Sequence, residues 1–324
     1  MDTLRDWSLF FSSLALLCFS LSVFPQAYPS HSIQFVVPVS PGGGADLMAR
    51  LIAQRLSESV KQPVVVENRV GAGNVVGTEY VARARPDGYT LLLADNSSHG
   101  VAQAFDPKIP YDTIKDFTPI TVIASAQHFV LTNGQVPANT IKQFIDLAKA
   151  KPGQLNFGSS GAGTQTHLLG ELFKYQTKTD LVHIPYKGTG SQFTALVSNE
   201  IQLMFATTTG AMPFVKDGRL KALAITGLHP SDLLPDVPTL DSQGIKGFET
   251  ATWYGVVGPA GIPKPIVILL NQEIVKVAKS NEFKQRIAAE GAEPVGSTPE
   301  ECAETIKNEL EKWTKLVKDT GLHA

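Results

Sequence analysis

Short apolar runs alternate with longer helix-like segments along this chain, and this alternation constrains the fold more than any other feature. Strand-like runs lie at 33–38, 63–68 and 89–95, and an amphipathic stripe that includes Met48, Ile52 and Leu56 separates the first two. Repeated strand–loop–helix units predict a mostly parallel sheet that is covered by helices.

The same alternation restarts in the middle of the chain. Thr140 and Gln143 have the spacing of a capping box before a helix. Further strand-like runs follow at 155–160, 180–186, 201–206 and 220–226. A length of 324 residues is large for a single core. The sequence therefore predicts two α/β halves, and crossing strands are expected to join them because no low-complexity linker lies between.

The C-terminal part predicts one more strand at 252–259, a long helix after Pro263 and a last helix from Pro299. Thr298 and Glu301 have the spacing of a capping box, and proline suits the first helical position. The predicted buried stripe of this last helix consists of Cys302, Ile306, Leu310, Trp313 and Val317.

The N-terminus is typical of a secretory signal peptide. Arg5 precedes an apolar stretch at 9–23 that is short for a membrane span, and Ala27 is a small residue suited to cleavage. We predict a signal peptide at 1–27 and a periplasmic location, with an uncleaved anchor as the alternative. Cleavage would leave Cys302 as the one cysteine, so no intrachain disulfide is expected.

Charge and composition exclude several function classes. The formal net charge is −2 and no basic block is present, so we expect no nucleic-acid partner. The seven histidines and two cysteines show no metal-ligand spacing, so neither a metal nor a cofactor is expected.

Two glycine-rich loops follow predicted strands and precede predicted helices: "PGGGAD" at 41–46 and "SSGAGT" at 159–164. Ligands of open α/β sheets bind beyond the carboxyl ends of the strands, where backbone N–H groups and a helix N-terminus attract anions. One such loop in each half predicts two anion-binding loops that face each other across a cleft. A carboxylate is favoured over phosphate because neither loop carries a cation.

Known nucleotide and hydrolase motifs do not fit these loops. Both lack the lysine and spacing of a P-loop, and "GAGNVVG" at 71–77 has one residue too many for a dinucleotide fingerprint. "GSSGA" at 158–162 ends in alanine where a hydrolase elbow needs glycine, and Ser160 has no evident base. We therefore predict binding without catalysis and keep a periplasmic serine hydrolase as a less favoured alternative.

Several single residues permit two interpretations. Asp46 is a candidate N-cap or a polar contact that fixes its loop. His167 fits a structural hydrogen bond better than a ligand contact, Lys187 fits a solvated strand end, and Trp253 fits a core or cleft wall.

Long segments of the chain resemble the extracytoplasmic solute receptors of the tripartite tricarboxylate transporter family, also called Bug receptors. The matching segments are "VPVSPGGGADLMAR" (37–50), "VVENRVGAGNVVG" (65–77), "GSSGAGTQTHLLGELF" (158–173), "PYKGTGSQFTALVSNEIQLMF" (185–205) and "WYGVVGPAGIPKPIV" (253–267).

This resemblance implies a type II periplasmic binding protein fold, a Venus flytrap of two α/β lobes with a ligand cleft between them. Lobe 1 is expected to comprise 28–128 plus 233–324, and lobe 2 to comprise 129–232. The implied ligand is a small organic acid, and the implied partners are membrane permease subunits. A monomer is expected, and a sensory role without a permease is the alternative.

The resemblance also implies ligand contacts at the loops and strand ends. One lobe would hold a carboxylate by the N–H groups of Gly43 and Gly44, and the other would use Ser159, Gly163 and Thr164. The full set of expected ligand-binding residues is Val39, Pro41, Gly43, Gly44, Asp46, Asn96, Ser97, Ser98, Ser159, Gly163, Thr164, His167, Tyr186 and Thr207.

Two positions depart from the family pattern. Val39 stands where an aromatic residue is common, which implies a wider pocket at that end. Ala206, followed by Thr207, stands where the family often carries an aspartate. The missing acid favours a simple carboxylate over an amino acid with a free ammonium.

Overall fold

The computed structural model describes residues 28–322, so the predicted signal peptide lies outside the described residues. The strands are β1 (Ile33–Val37), β2 (Val64–Asn68), β3 (Thr90–Asp95), β4 (Phe117–Ala126), β5 (His128–Asn133), β6 (Leu155–Ser159), β7 (Leu181–Pro185), β8 (Leu203–Thr207), β9 (Leu220–Ile225), β10 (Thr252–Pro259) and β11 (Ala292–Pro294). The helices are α1 (Gly44–Val60), α2 (Val75–Ala82), α3 (Ala102–Phe105), α4 (Ile141–Ala150), α5 (Gln165–Thr177), α6 (Thr189–Val197), α7 (Thr208–Lys216), α8 (Lys264–Lys279), α9 (Asn281–Ala288) and α10 (Pro299–Thr320). Between residues 28 and 322, no helix is both long and apolar enough to cross a bilayer.

The first sheet contains six strands in the order β11-β4-β10-β3-β1-β2. β1 pairs in parallel with β2 and β3, which confirms the parallel arrangement predicted for the first half. Helix α1 covers this sheet, and its Met48, Ile52 and Leu56 are buried in the same apolar cluster as Phe35. The predicted helical stripe is therefore the face that packs on the sheet.

The second sheet contains five strands in the order β7-β6-β8-β5-β9. β6 pairs in parallel with β7 and β8, whereas β5 is antiparallel to both of its neighbours. Thr140 caps α4 by accepting a hydrogen bond from the N–H of Gln143. The predicted reciprocal bond is absent, because the Gln143 side chain accepts from the N–H of Asn139 instead.

The two sheets are joined by crossing strands, as predicted. β4 ends at Ala126 in the first sheet and β5 begins at His128 in the second, so a single residue, Gln127, connects them. The sequence pattern does not predict β4. Most of its residues are buried, so the alternation of apolar and polar residues that marks a half-exposed strand is absent.

Helix α10 bridges the cores of both sheets. Thr298 and Glu301 form the predicted capping box at its start. Cys302 and Ile306 pack in a cluster beneath the first sheet. Trp313 and Val317 belong to the cluster around the second sheet. Of the predicted stripe, only Leu310 is partly rather than fully buried.

Candidate functional site

Strands from both sheets end at one cavity. Among the described residues, β3 ends beside it at Asp95 and β8 ends beside it at Thr207, while the loop after β1 contributes Val39. This is the position at which open α/β sheets bind ligands. The cavity is lined by Val39, Gly44, Ala45, Asn74, Asp95, Ser97, His128, Ser160, Gln165, Thr166, Thr189, Ala206, Thr207, Thr252 and Tyr254.

The cavity is small, lies between the two halves and is partly open to the outside. Its volume is about 40 Å³, which is room for roughly three water molecules. The N–H of Gln165 donates to the Ser97 hydroxyl across the cleft at 3.1 Å. At the cleft mouth, Gly73 lies so close to the carbonyl of Ala162 that a Cβ on residue 73 would collide with it. The structure therefore has the two halves closed on each other.

The polar lining consists mainly of hydroxyl groups and helix N-termini. Gly44, Gln165 and Thr189 are the first residues of α1, α5 and α6, so the N-termini of these three helices border the cavity. No lysine or arginine is among the lining residues. An anion in this cavity would be held by N–H dipoles and hydroxyl donors rather than by a cation.

Asp46 fixes the first glycine-rich loop. Gly43, not Asp46, is the N-cap of α1, so the N-cap interpretation is wrong. The Asp46 carboxylate accepts from the N–H of Gly42 and from the side chains of Arg50 and Asn68. Burial by itself would raise the pKa of Asp46, but the hydrogen bonds from Arg50 and Asn68 outweigh it and lower the pKa. Asp46 therefore stays charged and holds the loop in shape.

The second glycine-rich loop is held by buried hydroxyl groups. The hydroxyls of Ser159 and Thr164 both donate to the carbonyl of Gly161, at 3.0 and 2.7 Å. Ser159 also lies 2.7 Å from Nε2 of His183. His167 accepts from the N–H of Gly163 and stacks on His183. These residues shape the loop, while Ser160 and Thr166 are the ones that line the cavity.

The structure separates the predicted ligand-binding residues into three groups. Val39, Gly44, Ser97 and Thr207 line the cavity. Gly163 and Tyr186 line neighbouring grooves instead. The remaining predicted residues do not line the cavity: Pro41, Gly43, Asp46, Asn96, Ser98, Ser159, Thr164 and His167.

Asn96, a predicted ligand contact, forms hydrogen bonds that stabilise the fold instead. Its amide donates to the Glu309 carboxylate at 2.6 Å and accepts from the N–H of Trp253 at 2.9 Å. The Trp253 side chain is itself buried in the core. Asn96 therefore ties the end of β3 to α10 and β10.

Several lining residues were not predicted from the sequence. Asp95 is the most notable, because its position at the end of a parallel strand was a signal that topology rules could have used. Tyr254 carried no such signal, since only the pairing of β10 with β3 places it opposite Asp95. The other lining residues outside the predicted set are Ala45, Asn74, His128, Ser160, Gln165, Thr166, Thr189, Ala206 and Thr252.

Comparison with known proteins decides the family. The tripartite tricarboxylate transporter family receptor, TctC, matches residues 48–322. The chain belongs to this family. Protein BugT of Bordetella pertussis is 36% identical over 92% of both chains.

Solved structures of receptors from this family share the fold. The periplasmic binding protein BugD is 32% identical, with a TM-score of 0.89 over 91% of this chain and 99% of that one. MatC from Rhodopseudomonas palustris with bound malate is 31% identical, with a TM-score of 0.86 over 90% of this chain and 100% of that one. The two-lobed α/β fold predicted from the sequence is confirmed.

Proposed function

We propose that this TctC-family receptor binds one small carboxylated metabolite in the cavity between its two lobes. The observation that carries the proposal is the cavity at Gly44, which the N-termini of α1, α5 and α6 and a set of hydroxyl groups line without any lysine or arginine. The malate in the MatC structure supports an organic acid as the class of ligand.

The ligand carboxylate is held by the N–H of Gly44 at the start of α1, with Ser97 and Thr207 as further contacts. A helix N-terminus carries roughly half a positive charge. The closed lobes exclude water, so each of these hydrogen bonds is stronger than it would be at an open surface. Gly43 and Asp46 support the loop that presents this N–H group.

Ligand binding selects the closed arrangement of the lobes. The bound molecule contacts residues from both sheets only when the cleft is closed, so its affinity is higher for that state. The difference in affinity must exceed the free energy of closure, on the order of a few kcal/mol. The lobe boundaries 28–128 plus 233–324 and 129–232 stay a prediction from the sequence; Leu240, Ile245 and Phe248 pack in the cluster around the second sheet.

The receptor works outside the cytoplasm and passes its ligand to membrane permease subunits. Export by the segment 1–27, a periplasmic location and a monomeric state complete the proposal. The family is described as a receptor of tripartite tricarboxylate transporters, which supports a membrane transporter as the partner. A sensory role would use the same closed complex but present it to a different membrane protein.

A hydrolase is less well supported by the geometry. Among described residues, the Ser160 hydroxyl has the Thr166 hydroxyl at 3.0 Å as its partner rather than a basic side chain. Ser159 does contact His183, but Ser159 is fully buried and does not line the cavity. Neither serine therefore combines an accessible hydroxyl with a general base.

Thermal shifts of the purified protein test the proposal against monocarboxylates, dicarboxylates, tricarboxylates, amino acids and aromatic acids. A ligand at 100 times its Kd stabilises by about 2.7 kcal/mol, a rise in Tm of roughly 5 °C. Any molecule released on denaturation is identified by mass spectrometry. A flat panel together with no released carboxylate would reject the proposed function.

A further inference from the structure

A carboxyl group lines the ligand cavity, although the cavity is proposed to bind an anion. Asp95 ends β3 and is 8% exposed, and none of the residues that line the cavity with it is a lysine or an arginine. Its Oδ1 accepts hydrogen bonds from the N–H and the hydroxyl of Ser98, at 2.9 and 3.0 Å. Neither of these bonds uses Oδ2, which is therefore the oxygen that can contact a ligand.

The other titratable groups around Asp95 are uncharged at neutral pH. Among the described residues, no lysine or arginine forms an ion pair with Asp95. The titratable groups beside it or in the cavity with it are two phenols and two imidazoles, those of Tyr111, Tyr254, His99 and His128. Burial raises the pKa of both phenols and lowers the pKa of both imidazoles, so none of the four compensates the charge of Asp95.

Asp95 lies close to the place proposed for the ligand carboxylate. Tyr254 pairs with Asp95 between β10 and β3, and its hydroxyl lies 3.0 Å from the position that a Cβ on Gly44 would take. Ser97, a proposed contact of the carboxylate, follows Asp95 by two residues and lines the same cavity. The cavity of about 40 Å³ has room for roughly three water molecules, which is too little to keep two carboxylates apart.

Two carboxylates in one small cavity disfavour each other's charge. Like charges within roughly 4–6 Å raise the pKa of one of the two groups strongly, and a carboxyl pair of this kind holds one proton. Burial already raises the pKa of Asp95, against the opposing hydrogen bonds from Ser98 and Asn74. A protonated Asp95 has an O–H that donates to a carboxylate. One proton therefore replaces the repulsion with a hydrogen bond.

We propose that Asp95 and the ligand carboxylate share one proton, so that the receptor binds its organic acid together with a proton from the solvent. The inference rests on the proposed function, because it concerns the carboxylate held at Gly44. In the open cleft, water solvates Asp95 and the group is ionised. On closure Oδ2 takes up a proton and donates it in a hydrogen bond to a carboxylate oxygen of the ligand. Binding is therefore tighter at low pH and weakens as the pH rises.

Calorimetry of the unmodified protein measures the proton directly. The probes are propionate, succinate, citrate, L-alanine and benzoate, together with any carboxylate released from the denatured protein. Titrations at pH 7.5 in HEPES and in Tris, whose ionisation enthalpies differ, should show an uptake of about one proton per bound probe. Kd should rise by up to about tenfold per pH unit between pH 7 and pH 9. An uptake near zero and a constant Kd over this range would overturn the proposal.

Asp95→Asn tests the residue itself. Asparagine keeps an Oδ1 for the two Ser98 bonds and adds an uncharged N–H donor, so it resembles the protonated aspartic acid. We expect the proton uptake to fall to near zero and Kd to become independent of pH. At pH 9 the variant should bind the probe at least about tenfold more tightly than the unmodified protein. A folded variant that still takes up a proton would show that another group holds it.

Asp112→Asn is the matched control. Asp112 also accepts hydrogen bonds from backbone N–H groups, those of Ile114 and Lys115, and it does not line the cavity. Its proton uptake and the pH dependence of its Kd should equal those of the unmodified protein.

The outcomes also separate this inference from the proposed function. If a carboxylate binds without proton uptake, the shared proton is wrong and the receptor function stands. If no carboxylate binds at all and none is released from the denatured protein, both are wrong. The titrations of the unmodified protein decide the question even if Asp95→Asn fails to fold.

Discussion

At the scale of single residues, only a few atoms of the two glycine-rich loops lie at the cavity. Most of the other polar groups form hydrogen bonds that stabilise the loops. Gly44 is at the cavity, whereas Asp46 and Ser159 form hydrogen bonds within and around their own loops. Side-chain type alone does not distinguish these two roles. A polar residue in a loop satisfies backbone groups as readily as it contacts a ligand.

Gly44→Ala is expected to weaken ligand binding while leaving the free protein folded. A Cβ at residue 44 would collide with the hydroxyls of Thr207 and Thr209, which belong to the other half of the molecule. Overpacking of about 1–3 kcal/mol corresponds to a Kd that is roughly 5- to 140-fold higher. Calorimetry with the ligand found in the panel measures this change.

Gly134→Ala is the matched control, because a Cβ there meets no atom within 4 Å. Its Kd should equal that of the unmodified protein. A Gly44→Ala protein that binds normally would show that Gly44 does not lie against the other lobe in the bound state.

At the scale of secondary-structure elements, α10 connects the two halves. Its first turns pack beneath the first sheet, while Trp313 packs with residues around the second. The indole N–H of Trp313 donates to Glu309 at 2.7 Å, and Glu309 accepts from Asn96 at the end of β3. The helix therefore contacts a strand end at the cavity and the core of the other half.

Trp313→Ala should lower the stability of the whole chain. The side chain is 1% exposed, and truncation of a buried tryptophan costs about 3–5 kcal/mol. We expect Tm to fall by roughly 6–15 °C. Calorimetric unfolding checks this against Thr314→Ala on the exposed face of the same helix, which should change Tm by roughly 1–2 °C. A Trp313→Ala protein as stable as the control would mean that the packing of α10 against the second sheet contributes little to the stability of the chain.

At the scale of the whole molecule, buried histidines make stability depend on pH. Burial lowers the pKa of His99 and of His128, the two fully buried rings, to about 3 each. Burial, chiefly, also lowers the pKa of the half-buried His183 to about 4, with a smaller effect on stability because solvent screens it. The unfolded chain binds protons near pH 6.5 at these groups, whereas the folded chain does not until far lower pH. The stabilisation is therefore complete above pH 6.5 and is lost progressively as the pH falls from 6.5 towards 3–4.

Unfolding followed from pH 7.5 to pH 4.5 should show this loss, at up to about 1.4 kcal/mol per pH unit for each buried histidine. The histidine slope is read between pH 7.5 and pH 5.5, above the range in which most carboxyl groups of an unfolded chain titrate. His99→Gln should reduce the change of unfolding free energy with pH by the amount that corresponds to about one proton taken up on unfolding. His229→Gln, at an exposed position, should leave this pH dependence unchanged. A free energy of unfolding that stays constant down to pH 5 would contradict the neutral burial of these rings.

The sequence by itself determined most of the elements, the two α/β halves and the position of both glycine-rich loops, because the burial of one face leaves a periodic pattern in neighbouring residues. It did not determine β4, β5 or β11. The capping box of α10 could also be predicted, because it depends on two residues, Thr298 and Glu301, that are close in sequence. Only the tertiary structure decided which atoms surround the cavity. Tyr254 lies opposite Asp95, and His128 opposite Thr207, through strand pairings between residues that are 159 and 79 positions apart in sequence. The lateral order of strands follows from long-range packing, which leaves no periodic signal in the residues that it brings together.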